Sequence, residues 1–168
     1  APPPRRRSRR CRDARAHVRR VPLAWPAHRQ AFIVARHITG DKIPFEGLLG
    51  TSICKVFTQS VAITGLNEAT LIERHMKYES VVQTAHSNAG YYPDHAKIFM
   101  KIHYDSLTRK VLGAQVVGGK GVDKRIDVLA TAIYAGLTMD DLQALELAYA
   151  PPYSSPKDPV NMAGYRAK

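Results

Sequence analysis

Apolar residues recur along this chain with two periods, and the switches between them mark the elements. From Arg29 to Ile38, the residues Phe32, Ile33, Ala35 and Ile38 return at helical spacing, and Gly40 supplies a stop. Residues 47–64 carry β-branched and aromatic side chains (Ile53, Val56, Phe57, Val61, Ile63) between Gly50 and Gly65, which predicts strand. Asn67 is placed to cap a helix reaching about Lys77, with Leu71, Ile72 and Met76 on one face. Strands are expected over 80–84, 96–104 and 110–117. In the second of these, Ile98, Met100 and Ile102 alternate with Phe99, Lys101 and His103, as on a half-buried strand. Residues 105–110 join it to the third as a hairpin. A helix over 122–135 places Ile126, Leu129, Ala130 and Ile133 in one stripe and stops at Gly136. Thr138 and Asp141 form a capping pair for a further short helix carrying Leu142, Leu145 and Leu147. Strands of this kind with segregated helices make an α+β fold, an antiparallel sheet with helices packed on one side.

Composition changes this picture at one end only. A chain of 168 residues with 45% hydrophobic residues is long enough for one domain with a real core. No apolar run approaches the roughly 20 residues of a membrane helix, so no membrane partner is expected. Of the net charge of +11, residues 1–20 carry +8, from nine arginines and Asp13. That stretch is low-complexity and self-repelling, and it predicts disorder. Read as an arm, it would bind nucleic-acid phosphates. Its proline- and arginine-heavy text is equally that of an out-of-frame, GC-rich leader, and this second reading is the one adopted, so nucleic acid is not an expected partner. No apolar core follows the charge to make a secretory signal. Cys11 and Cys54 form no disulfide framework, which points to a reducing cytoplasm. Cys54, set among strand-forming residues, is expected to be a small buried hydrophobe rather than a redox thiol.

Candidate chemistry is concentrated near the C-terminus. Between Tyr149 and Tyr165 lie Pro151, Pro152, Pro156 and Pro159, which exclude a helix interior or a central strand. The expectation is a rigid loop that presents side chains instead of filling a core. Gly118-Gly119-Lys120-Gly121 lacks the spacing of a phosphate-binding loop and reads as a turn before a helix. His86, His95 and His103 are spaced too widely for a zinc site, so no metal is expected. Lys124 and Arg125, beside Asp123 and Asp127, read as a solvated or interface-pairing helix face. Lys157 with Asp158 is a candidate pair for fixing the terminal loop.

Several long motifs, in order, give the chain a family resemblance. They are Gly50-Thr-Ser-Ile-Cys-Lys-Val-Phe57, His86-Ser-Asn-Ala-Gly-Tyr-Tyr-Pro93, Val111-Leu-Gly-Ala-Gln-Val-Val-Gly118, Gly121-Val-Asp-Lys-Arg-Ile-Asp-Val-Leu-Ala130 and the terminal Tyr149–Tyr165 stretch. Pro22-Leu-Ala-Trp-Pro-Ala-His-Arg-Gln30 matches more weakly. Together they resemble the C-terminal region of the CoA-disulfide reductase and NADH oxidase branch of the FAD-dependent pyridine nucleotide-disulfide oxidoreductases. The resemblance implies a dimerisation domain over 47–165, a remnant of the FAD-domain helix over 21–46 and the arginine-rich leader over 1–20. It implies FAD and NAD(P)H as cofactors of a full-length enzyme, with each active site at the dimer interface. Trp25 and His28 stand where the family has glycine and asparagine, and the dinucleotide fingerprints and redox-cysteine motif are missing. No cofactor and no catalysis are therefore expected of this chain alone.

The side chains that such a domain offers to its partner's flavin and cysteine would come from Tyr149-Ala-Pro-Pro-Tyr153 and the Tyr91-Tyr92 motif. Tyr91 and Tyr149 are the first candidates and Tyr92 and Tyr153 the next, each as a phenolic donor to a thiolate or substrate. The rival for each is a buried aromatic with a satisfied hydroxyl. The expected partner is a second copy, met through an apolar face, or a full-length reductase subunit. The alternative is a stand-alone dimeric binding module with an arginine-rich nucleic-acid-binding arm.

Overall fold

The structure is a computed structural model that describes residues 21–167. The expectations for the arginine-rich stretch 1–20 lie outside the described residues. Five strands, β1 (Ser52–Val56), β2 (Gln59–Gly65), β3 (Tyr78–His86), β4 (Lys97–Asp105) and β5 (Val111–Gly118), form one sheet in the order β1-β2-β5-β4-β3. Every neighbouring pair is antiparallel. The helices are α1 (Ala24–Ile38), α2 (Glu68–Glu73), α3 (Val122–Ala135), α4 (Met139–Ala144) and α5 (Pro159–Arg166). The sheet is antiparallel with its main helices on one side, as the hydrophobic pattern predicts.

The alternation in β4 decides which side. Ile98, Met100 and Ile102 are buried, and Val81 and Gln83 of β3 stand opposite Ile102 and Met100 on the same face. On that face, α3 lies against β2 and β5, α5 lies against β3, and α4 packs on α5. Leu129 and Ile133 of α3, Leu142 of α4 and Val160 of α5 complete the core. The other face carries Val61, Val117 and Phe99 in one cross-strand row, with Val82 one register step away. Phe99 and Val82 are exposed there. His103 also points to this face but is buried, beside Ser80 and edge-on to Tyr78.

Local chemistry explains the boundaries. Asn67 caps α2 by accepting from the Thr70 amide at 2.9 Å, and the Thr138–Asp141 capping box opens α4. The predicted helix to Lys77 stops at Glu73, because His75 adopts a left-handed φ of 52° that α-helix cannot continue through. α1 starts at Ala24, ahead of the predicted Arg29. Pro26 falls within its first turn, where the missing N–H would have had no intrahelical partner. Residues 47–64 contain two strands, not one, because Phe57 turns the chain at φ 53° and pairs Val56 with Gln59. Gly113 lies where β5 crosses the chain leaving β2; a Cβ there would run into the Leu66 carbonyl.

Three expectations are corrected. The proline-rich terminus does not stay a loop. Pro159 occupies the first turn of α5, and Asp158 caps that helix by accepting from the Val160 amide at 3.0 Å. Its Val160, Asn161 and Ala163 are buried, so the segment fills core as well as presenting side chains. Cys54 is exposed: it sits on the edge strand β1, opposite Val61 on the face away from α3, where nothing covers it among the described residues. Arg125 is neither solvated nor at the surface. It is 1% exposed, because the chain after β3 and the α5 entry close over the first turns of α3.

Candidate functional site

The two tyrosine segments meet at one end of the sheet. The first leaves β3 as Ser87-Asn88-Ala89-Gly90-Tyr91-Tyr92, and the second is Tyr149–Tyr153 between α4 and α5. The Ala89 amide donates to the Pro151 carbonyl at 3.2 Å, joining them directly. Each segment also closes on itself. The Tyr92 amide donates to Ala89 at 2.9 Å and the Tyr153 amide donates to Ala150 at 2.9 Å.

These turns carry the tyrosines outward. Tyr91 is 78% exposed, Tyr153 70%, Tyr149 44% and Tyr92 38%, so the buried-aromatic reading fails for all four. The structure brings two of them together: the Tyr91 and Tyr149 hydroxyls are 3.5 Å apart. That is at the outer limit of a hydrogen bond, longer than the usual O–H···O separation of about 2.7–2.8 Å. The contact with Tyr91, followed by partial burial, raises the Tyr149 pKa above the ordinary tyrosine value. A phenolic O–H can donate, and a single electron-rich atom set between the two hydroxyls could accept from both. Tyr92 and Tyr153 lie in the same loops but form no hydrogen bond to this pair. The Tyr92 carbonyl instead accepts from His95 Nδ1 at 3.2 Å.

Beneath the loops lies a buried charge cluster that the sequence pattern did not reveal. Arg125 reaches Asp158 through Nε at 3.3 Å and Nη2 at 2.9 Å. Its Nη2 also donates to the Ser87 carbonyl at 2.8 Å and to Ser154 Oγ at 3.3 Å, and Nη1 donates to the Gly121 carbonyl at 3.1 Å. Ser154 Oγ donates to Asp158 Oδ2 at 2.6 Å. Burial alone would raise the Asp158 pKa; the Arg125 charge and the bonds from Ser154 and the Val160 amide overcome this and hold it low. The expected Lys157–Asp158 pair does not form. Asp158 is taken by Arg125, with Lys124 Nζ 3.6 Å away, and Lys157 stands over the Tyr165 ring at 4.5 Å. The signal that could have found this cluster was the serine–aspartate spacing of Ser154 and Asp158 ahead of a proline, a helix-start pattern.

His86 and His95 meet edge-to-face with ring centroids 4.9 Å apart, whereas His103 is buried on the face away from α3. Among the described residues no three histidine, cysteine or acidic side chains gather as a metal site. No helix there is long and apolar enough to cross a membrane. A groove lies between α1 and the start of β1, lined by Trp25, Arg29, Phe45, Glu46 and Asp127. Its lining also includes Leu23 and Ala24 at the start of α1.

A five-stranded antiparallel sheet backed by helices on one side, with exposed side chains on paired end loops, is the architecture of a reductase dimerisation domain. Residues 51–159 match the family model for the dimerisation domain of the pyridine nucleotide-disulphide oxidoreductases, and the chain belongs to that family. The family is FAD- and NAD(P)H-dependent. The chain is 49% identical over 149 residues to the coenzyme A disulfide reductase of Staphylococcus aureus (strain bovine RF122 / ET3-1), covering 88% of this chain and 34% of that protein. It superposes on the reduced Bacillus anthracis CoADR-RHD with a TM-score of 0.82 at 53% identity, covering 86% of this chain and 26% of that one. A NAD-dependent persulfide reductase from A. fulgidus gives a TM-score of 0.83 at 41% identity, covering 86% and 27%. The chain therefore spans about a third of the length of the curated relatives it matches.

Proposed function

We propose that this chain serves as the dimerisation part of a CoA-disulfide reductase-like flavoenzyme and offers the Tyr91 and Tyr149 hydroxyls to a sulfur site on its partner. The observation that carries this reading is the exposed hydroxyl pair, 3.5 Å apart on two loops tied to one another. When a disulfide is cleaved, negative charge develops on the departing sulfur. Two phenolic hydroxyls aimed at that atom would stabilise it by hydrogen bonding and could return a proton to it. Tyr92 and Tyr153 would flank the pair and shape the entrance. The flavin, the nicotinamide and the attacking cysteine would belong to the partner, a second subunit of full length. The face away from α3, with Phe99 and Val82 exposed, leaves apolar surface for a second copy or for such a subunit. The comparisons lend no support to a nucleic-acid-binding arm.

Complementation tests this. The chain is co-purified with a full-length CoA-disulfide reductase subunit whose own equivalent tyrosines are changed to phenylalanine. NADH-dependent reduction of CoA disulfide should return in the mixed dimer and should be lost again with Tyr91→Phe/Tyr149→Phe in this chain. A confirmed mixed dimer that stays inactive refutes the proposal, as does turnover by this chain alone with added FAD and NADH.

A further inference from the structure

Three segments of chain converge on one buried side chain. Arg125 is held in the first turns of α3, and its guanidinium donates to the Ser87 carbonyl, to Ser154 Oγ, to the Gly121 carbonyl and to both Asp158 oxygens. Ser87 lies four residues before Tyr91, and Ser154 lies five after Tyr149. The planar fork reaches both loop bases at once, at 2.8 Å and 3.3 Å, which a point-like ammonium on a flexible stem cannot reproduce. The site is also shaped for this group. Gly121 has φ 73°, and a Cβ there would run into the Arg125 guanidinium, so the backbone can approach Arg125 only as glycine. Ser87 is itself engaged: its hydroxyl donates to Asn88 Oδ1 at 2.6 Å and accepts from the Ala96 amide at 3.0 Å, fixing the start of the Tyr91 loop.

We infer that Arg125 is a positioning residue for the tyrosine pair: it touches neither hydroxyl, but it clamps the bases of both loops so that Tyr91 and Tyr149 meet. This inference rests on the reading of those tyrosines given under Proposed function. Among the described residues the direct links between the two loops are the Ala89–Pro151 bond and the tyrosine contact itself, and Lys124 Nζ separately donates to the Ala148 carbonyl at 3.3 Å. The guanidinium is the one side chain among them that bonds to the bases of both loops. A helix-surface cation would not need to be buried. This one is buried beneath two segments that are separated by more than sixty residues of sequence and are not paired as strands.

The test follows the tyrosines of the whole chain by NMR, with ¹³Cζ-labelled tyrosine and each resonance assigned by single Tyr→Phe changes. In the parent, Tyr149 should titrate above the other exposed tyrosines, and Tyr91→Phe should bring it down. With Arg125→Lys, which keeps the charge but loses the fork, Tyr149 should move at least half of the way to its Tyr91→Phe value although Tyr91 is still present. Ser154→Ala, which removes one arm of the clamp and leaves the ion pair, should give a smaller shift in the same direction; it is the readout if Arg125→Lys does not fold. Thr138→Ala, which removes the α4 cap far from the loops, controls for lost stability and should leave Tyr149 where it was. If Tyr149 responds to Tyr91→Phe but stays put in the folded Arg125→Lys and Ser154→Ala chains, the positioning role is overturned and the tyrosine pair survives. If Tyr149 ignores Tyr91→Phe in the parent, the pair itself is absent and both readings fall.

Discussion

Asp158→Asn isolates the buried charge pair from the other work of that residue. Asparagine caps helices about as well as aspartate, so the α5 cap that Asp158 provides should survive the change. What disappears is the negative charge 2.9 Å from an Arg125 that is 1% exposed. Removing one partner of such a pair strands the other, at a cost of about 3–5 kcal/mol. Set against a total stability of about 5–15 kcal/mol, this is a large fraction. At roughly 3 °C per kcal/mol for a domain of this size, Tm should fall by about 9–15 °C. The assay is urea unfolding followed by circular dichroism at fixed protein concentration, since a dimer's stability depends on concentration. The midpoint should drop with the slope unchanged. The pH dependence has a definite sign. The folded-state pKa of Asp158 is depressed, so its stabilisation is present above the unfolded carboxyl pKa of about 3.9 and is lost as pH falls through the folded value. The gap between parent and Asp158→Asn should therefore be full at neutral pH and close in acid, where the parent's own carboxyl is protonated. A loss below about 1 kcal/mol at pH 7, or a gap independent of pH, refutes the buried pair.

Gly113→Ala should destabilise the fold by about 2–4 kcal/mol or prevent folding, because its Cβ would meet the Leu66 backbone rather than a flexible side chain; thermal denaturation reads this directly. Glu68→Gln, by contrast, removes an exposed pair between α2 and Lys101 on the face away from α3 and should leave the urea midpoint almost unchanged. Cys54 should react with a thiol reagent in the native chain, as located by peptide mass after labelling of a Cys11→Ser variant; protection until unfolding would contradict its exposed place on β1. Light scattering at tens of micromolar should find a dimer, and Phe99→Asp should weaken it if the face away from α3 is the contact; a persistent monomer in the parent would count against the dimer.

Most of the fold was legible because it rests on local rules. The alternation of Ile98, Met100 and Ile102 marks a half-buried strand, and the Thr138–Asp141 spacing marks a helix start, whatever surrounds them. What sequence misjudged depends on contacts far apart in the chain. Arg125 beside Asp123 and Asp127 has the local look of a solvated helix face, and only the closure of residues 87 and 154–158 over it makes it core. Pro159 illustrates the same limit from the other side. A proline excludes helix interiors but is welcome in a first turn, so four prolines in a row of motifs could hide a helix whose start is Asp158. Cys54 reads as buried because it sits among strand formers, yet an edge strand buries little on the face away from α3. The tyrosines were named from the family resemblance. Their mutual approach follows from the loop bases and was not visible in the spacing of residues 91 and 149.

The placement of a charge pair under these loops can be weighed against the apolar alternative. A well-packed hydrophobic cluster of similar volume is often as stable as a buried ion pair, or more so. Stability alone therefore gives no reason to bury Arg125. An apolar cluster, however, is indifferent to small rotations of what it packs against, whereas a guanidinium with donors to Ser87, Gly121, Ser154 and Asp158 is satisfied in one arrangement only. Two hydroxyls that must share one target atom require that kind of definition, because an error of about 1 Å in either loop would separate them beyond hydrogen-bonding reach. Replacing Arg125 and Asp158 together with apolar residues should therefore recover much of the stability lost in Asp158→Asn while leaving the Tyr91–Tyr149 approach unrestored. Recovery of both would show that the clamp is only filler.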